Sequence, residues 1–206
     1  NCSNLTEVTL PNTITSLSNY CFASCIRLAS INLSNVTSLG QHCFNNCTNL
    51  TSIDLPNTTS LGSYSFASCT SLTSINLPLV TTISAYCFER CYELTEVNAP
   101  NVTSLNSYCF YNSDLVSVDF PLVTTLGDNC FQGCTKLTSI DLPLATSLGA
   151  RCFYSCTNLT SINIPKITNL GDFCFYDCTN LTSIDLPLVT SIGTRCFSDC
   201  TNLTSI

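Results

Sequence analysis

Seventeen cysteines in 206 residues, most of them in the pattern C-F-x-x-C, are the side chains in this sequence with the most chemistry to offer. Thiols at this density can close disulfides, hold a metal, attack an electrophile as thiolates, or pack as small apolar groups. They fall in two columns. One runs Cys21, Cys43, Cys87, Cys109, Cys130, Cys152, Cys174 and Cys196, each directly before a phenylalanine; the other runs Cys2, Cys25, Cys47, Cys69, Cys91, Cys134, Cys156, Cys178 and Cys200. An odd number leaves at least one thiol without a partner in the chain. Ser65 and Ser113 each replace a cysteine while the companion in the same repeat, Cys69 or Cys109, remains, so pairing within a repeat is not required. Zinc wants four converging ligands, typically from C-x-x-C pairs, and the C-x-x-x-C spacing lacks that signature. Buried, mostly reduced packing cysteines are therefore the expectation, with disulfides the main alternative.

A cysteine nucleophile also needs a base. The single histidine, His42, directly precedes Cys43, and adjacent residues on a helix do not face each other. The acids form a column on an open sheet, with no pocket to shift their titration. No enzyme, no cofactor and no metal centre is expected.

Three surface columns remain as candidates. Between the Ile and Leu of each strand stand Thr9, Asn32, Asp54, Asn76, Asn98, Asp119, Asp141, Asn163 and Asp185, flanked by a Ser column that includes Glu7 and Glu96. The plainer account is a polar face that stops sheets from stacking. The functional account is a concave binding face for a basic or hydroxyl-rich partner, or for Ca²⁺ held by side-chain oxygens; its residues would be Asn32, Asp54, Asn76, Glu96, Asn98, Asp119, Asp141, Asn163 and Asp185. On the other side, before the first cysteine column, come Tyr20, His42, Tyr64, Tyr86 and Tyr108, then Asn129, Arg151, Phe173 and Arg195. Tyr20, Tyr64, Tyr86 and Tyr108 are an alternative binding surface, or a half-buried ladder closing the core. A third column, Thr15, Thr37, Thr59, Thr81, Thr103, Thr124, Thr146, Thr168 and Thr190, invites an ice-binding reading. The duller account has each hydroxyl bonding a backbone group of the neighbouring turn.

These columns exist because the chain repeats. Nine repeats begin at Leu5, Leu28, Leu50, Leu72, Leu94, Leu115, Leu137, Leu159 and Leu181, with partial units at both ends, and most are 22 residues long in the form LxSIxLPxVTSLGxxCFxxCTN. L-T-S-I-D-L alternates like a short strand, and all eight prolines stand just after it, where a missing amide donor ends pairing. Leu148, Cys152, Phe153 and Cys156 recur at helical spacings. The expectation is an α/β solenoid over residues 1–206, with one short parallel strand and one short helical segment per repeat. A phenylalanine in every repeat, from Phe22 to Phe197, makes its spine.

The strand resembles that of leucine-rich repeats, and the L-P…V-T-S-L-G-x-x-C-F-x-x-C continuation resembles the BspA-like class found on surfaces of bacteria and parasitic protists. The resemblance covers all nine repeats. V-T-S stands where most leucine-rich repeats carry an Asn ladder, and Cys mostly replaces the small residue before the Phe. What it implies is surface display, an extracellular or cell-surface location, and adhesion to protein.

Thirteen acids against six bases give a net charge of −7, with the cations scattered singly, which argues against nucleic acid as a partner. No apolar run approaches the roughly 20 residues a membrane span requires. The chain contains no Met, so it reads as a processed or excised piece whose ends, lacking polar caps, could self-associate. The expected function is a protein- or glycan-binding adhesion module, with a self-assembling extracellular filament subunit as the alternative.

Overall fold

The computed structural model describes residues 1–206. Each repeat winds once around a common core, and its backbone pairs in parallel with the repeats before and after it. The first wall holds the short strands Glu7–Val8, Ser30–Ile31, Ser52–Asp54, Ser74–Asn76, Glu96–Asn98, Ser117–Asp119, Ser139–Asp141 and Ser161–Asn163. An isolated bridge between Asn32 and Asp54 joins the first two strands to the other six. Alternation along a strand sends Ile53 inward and Ser52 and Asp54 outward, and the same pattern recurs in its neighbours.

A second wall comes from the V-T-S-L stretch, where no strand was expected. Its strands are Ser16–Leu17, Ser38–Leu39, Ser60–Leu61, Thr82–Ile83, Ser104–Leu105, Thr125–Leu126, Ser147–Leu148, Asn169–Leu170 and Ser191–Ile192. They too pair in parallel, with one interruption between Ser60–Leu61 and Thr82–Ile83.

The expected helical segment is absent; the chain contains no helix, and the fold is a parallel β-solenoid. The reason lies in the amides of C-F-x-x-C. A helix would keep every interior N–H within the segment. Here alternate amides leave it: Tyr20, Phe22 and Ser24 donate to the carbonyls of Gln41, Cys43 and Asn45 in the next turn, while Ala23 and Cys25 close three-residue-back turns onto Tyr20 and Phe22. The alternation needs a left-handed residue at two places per repeat. Tyr20, His42, Tyr64, Tyr86, Tyr108, Asn129, Arg151, Phe173 and Arg195 take φ of 52–61°. Ser24, Asn46, Ser68, Arg90, Asn112, Gly133, Ser155, Asp177 and Asp199, four residues on, take φ of 54–73°. Two such reversals per repeat cannot coexist with a right-handed helix. The apolar spacing that suggested one is equally the spacing of these turns.

The core is the space between walls and turns. Phe22 through Phe175 are buried and Phe197 is partly buried, each ring stacked on the next at 5.3–5.5 Å between centroids, which makes a continuous spine across all nine repeats. The inward Ile or Val of the first wall and the Leu of the second pack against it. Volumes compensate between turns: Ala99 stands beside Phe120 in a column otherwise filled by Leu and Ile. Thr58 replaces a buried Val and donates its hydroxyl to the Val36 carbonyl at 2.8 Å, which satisfies a group that would otherwise be costly there.

Candidate binding faces

On the first wall every member of the expected column, from Thr9 to Asp185, is exposed. Parallel pairing puts them side by side, Asn76 opposite Asn98 and Asp119 between Asn98 and Asp141. One amide tempers an acid, Asn163 Nδ2 donating to Asp141 Oδ1 at 2.8 Å, and two amides bond each other, Asn98 Nδ2 to Asn76 Oδ1 at 3.0 Å. Glu96, exposed and opposite Ser74, adds a carboxylate two residues earlier on the same face. Surface hollows concentrate along this wall. One is lined by Thr95–Asn98, Pro100 and Val116–Asp119, another by Ser117, Val118, Ser139–Asp141 and Ser161–Asn163. Outward side chains and their remaining hydrogen-bond sites face these hollows.

The ring column behaves differently. Tyr20, His42, Tyr64, Tyr86 and Tyr108 stack face to face at 4.4–4.6 Å between centroids, within 6° of parallel. His42 is thus sandwiched between two tyrosines. Because each interior ring covers its neighbours' faces, the ladder offers outside molecules its hydroxyl-bearing edges and not its π surfaces. Beyond Tyr108 the aromatic stripe shifts sideways. Tyr108 meets Tyr111 edge-on at 5.7 Å, and Tyr154 and Tyr176 stack at 4.8 Å in the column just after the spine. The sequence reading missed this second ring column, although Tyr at the same offset after Phe110, Phe153 and Phe175 was its signal.

All seventeen cysteines are free thiols, most of them fully buried. The second column has a specific task. Cys47, Cys69, Cys91, Cys134, Cys156 and Cys178 each donate Sγ–H to the carbonyl of the preceding repeat's phenylalanine at 3.1–3.2 Å. Ser113, standing in the same column, makes that bond with Oγ to Phe88 at 2.6 Å. A serine that preserves one column's donor was the available clue. In the first column the side chains meet each other instead, Cys109 and Cys130 Sγ at 3.2 Å and Ser65 Oγ with Cys87 Sγ at 3.2 Å. Burial pushes Cys43, Cys47 and Cys87 up to about 12, so these thiols stay protonated at neutral pH.

The threonines do bond across turns. Thr37 Oγ1 donates to the Thr15 carbonyl at 3.0 Å and Thr190 Oγ1 to Thr168 at 3.1 Å, onto carbonyls that already accept the same threonine's amide. A second threonine ladder precedes the first-wall strands, with Thr160 Oγ1 on the Thr138 carbonyl at 3.0 Å.

A parallel solenoid whose every turn begins L-x-x-[I/V], most of them with Leu two residues on, and carries a Phe in a stacked spine is a leucine-rich-repeat protein. The BspA type leucine rich repeat region matches it in six copies, over residues 1–116, 59–166 and 103–206, and the chain belongs to that family. A leucine rich cell surface protein from Faecalibacterium prausnitzii superimposes with a TM-score of 0.62 at 23% identity, over 98% of this chain and 78% of that one. A leucine-rich repeat protein from Bacteroides ovatus does so with a TM-score of 0.56 at 26% identity, over 100% and 73%. A chain of the Toll–Spatzle complex from Drosophila shares the fold at a TM-score of 0.53 and 22% identity, over 89% of this chain and 24% of that one. No curated protein matches the sequence. No helix is long and apolar enough to cross a membrane.

Proposed function

We propose that this chain is a non-enzymatic binding module of a secreted or cell-surface protein, holding a protein or glycan through its first wall. The observation that carries the reading is the wall itself. Its nine outward positions from Thr9 to Asp185 are all exposed and polar, and those from Asn32 to Asn163 pair in register at turn spacing beside hollows. Carboxylates and amides so arranged suit a partner that presents ammonium, guanidinium or hydroxyl groups. The buried, protonated thiols and the sandwiched His42 leave this face as the best-presented polar surface.

The test is a binding survey with immobilised extracellular proteins and glycans, followed by two double variants on any ligand found. Asp119→Lys with Asp141→Lys reverses two adjacent charges and should weaken a basic partner by about tenfold or more at low salt. Tyr64→Ser with Tyr86→Ser should leave that binding intact. The opposite pattern transfers the function to the ring column.

A further inference from the structure

Arginine is an odd occupant of a left-handed turn. Asn, Asp and Gly take positive φ at little cost and longer side chains do not. The neighbouring left-handed column is filled mostly by short polar residues or glycine, with Ser155, Asp177 and Asp199 in the last three repeats and Arg90, paired with Glu89, as its one long side chain. The ring column there carries Arg151, Phe173 and Arg195 at φ of 55°, 57° and 52°. The backbone does not ask for them. Stacking explains the tyrosines of the first five repeats, but it does not explain two cations.

These cations are also unpaired in a chain of net charge −7. The two ion pairs of the molecule join Arg90 to Glu89 and Lys136 to Asp114, and neither involves Arg151 or Arg195. The carboxylates on the same face have other partners. Asp177 accepts from Ser155 Oγ at 2.9 Å, and Asp199 accepts from the Tyr176 hydroxyl, which holds that phenol above its ordinary range. Arg151 and Arg195 are exposed, and Phe173 lies half-buried between them. The Arg151 guanidinium sits 5.0 Å from the Phe173 ring centroid, which limits its freedom before any ligand arrives. Arg151 N–H donates to the Asp172 carbonyl and Phe173 N–H to Thr194, both at 2.8 Å, so the three turns are stacked in register. Two turns at about 4.8 Å each put the arginine backbones roughly 10 Å apart.

We propose that Arg151, Phe173 and Arg195 form a clamp for a carboxylated polysaccharide whose charges fall on alternate sugars. Each guanidinium takes one carboxylate through two parallel N–H donors. The sugar between them lies along the exposed edge of Phe173, where the hydroxyls of Tyr154 and Tyr176 can exchange hydrogen bonds with its own. An acidic strand fits less well: its same-face side chains recur at about 6.8 Å. A densely charged polyanion would also meet Asp177 and Asp199, whereas the uncharged sugar of an alternating polymer offers them hydroxyl donors. The site is on a different face from the one proposed above and does not depend on it.

Calorimetric titration with a hyaluronan octasaccharide, which carries a carboxylate on alternate sugars, tests the clamp against its carboxyl-methyl ester and an oligo-aspartate peptide. The acid form should bind, weakening with salt, and the ester should bind about tenfold more weakly or worse. Arg151→Gln with Arg195→Gln should lower affinity for the acid form by about tenfold or more. Arg151→Lys with Arg195→Lys keeps charge but not the planar fork and should lose an intermediate amount; it also stands in if the Gln pair folds poorly. The proposal is overturned if the octasaccharide does not bind, if the ester or the peptide binds as tightly, or if neither arginine pair matters.

Discussion

The first wall and the C-F-x-x-C turns come from the same repeating unit, yet they use their side chains in opposite ways. In the turns nearly every group is committed: Phe rings to the spine, second-column thiols to carbonyls, tyrosine faces to one another, alternate amides to the next repeat. On the first wall the backbone is committed to pairing while the outward Asp, Asn and Ser keep free lone pairs and donors. The more distinctive half of the repeat is therefore the structural half. The plainer half is the one with groups to spare, and Arg151 and Arg195 are the exception on the turn side.

The largest test of this contrast is alkali. Cys43, Cys47 and Cys87 ionise only near 12 when folded, against an ordinary value of 9.0 in the unfolded chain. Their contribution to stability is full below pH 9 and is lost as pH rises toward 12, each thiol giving up about 1.4 kcal/mol per pH unit across that window. Urea midpoints followed by circular dichroism should hold steady from pH 7 to 8.5 and fall steeply by pH 11. An unchanged midpoint at pH 11 would mean the thiols are not sealed in the core. Next comes Phe110→Ala, which opens a hole between Phe88 and Phe131 and should cost about 3–5 kcal/mol in chemical denaturation. A loss under about 1 kcal/mol would unseat the spine.

Smaller, and more specific to the turns, is the thiol donor of Cys134 to the Phe110 carbonyl. Cys134→Ser keeps a donor, as Ser113 does, and should be the milder change, while Cys134→Val of similar bulk leaves the carbonyl one bond short and should cost about 1–2 kcal/mol. Equal losses would reduce the column to packing alone. The smallest effect belongs to the first wall: Asp119→Lys with Asp141→Lys should move stability by no more than about 0.5 kcal/mol per site. A larger loss, read in the same urea titrations, would show that this wall is not free of structural duty.

Much of this could be read from the residues alone. The unbroken Phe column, the Ile and Leu columns and the solvent-facing Asp and Asn column follow from a 22-residue period, because stacked units must present identical columns at identical depth. The ring column was legible as a column, but its use was not. Whether tyrosines show faces or edges depends on a turn-to-turn distance that no single repeat encodes.

What the sequence by itself determined is the stacking, its register and which columns face inward, since apolar periodicity leaves one way to bury nine identical units. What only the tertiary structure decided is how the backbone of C-F-x-x-C travels. Leu148, Cys152, Phe153 and Cys156 satisfy a helical period and a left-handed turn equally well. The choice between them falls to hydrogen-bond partners one repeat away: Phe153 N–H reaches the Cys174 carbonyl at 2.8 Å, a bond a helix would have kept inside its own segment. The same distant partners set the tasks of the thiols, because a cysteine's donor role exists only once the neighbouring turn has placed a phenylalanine carbonyl beside it.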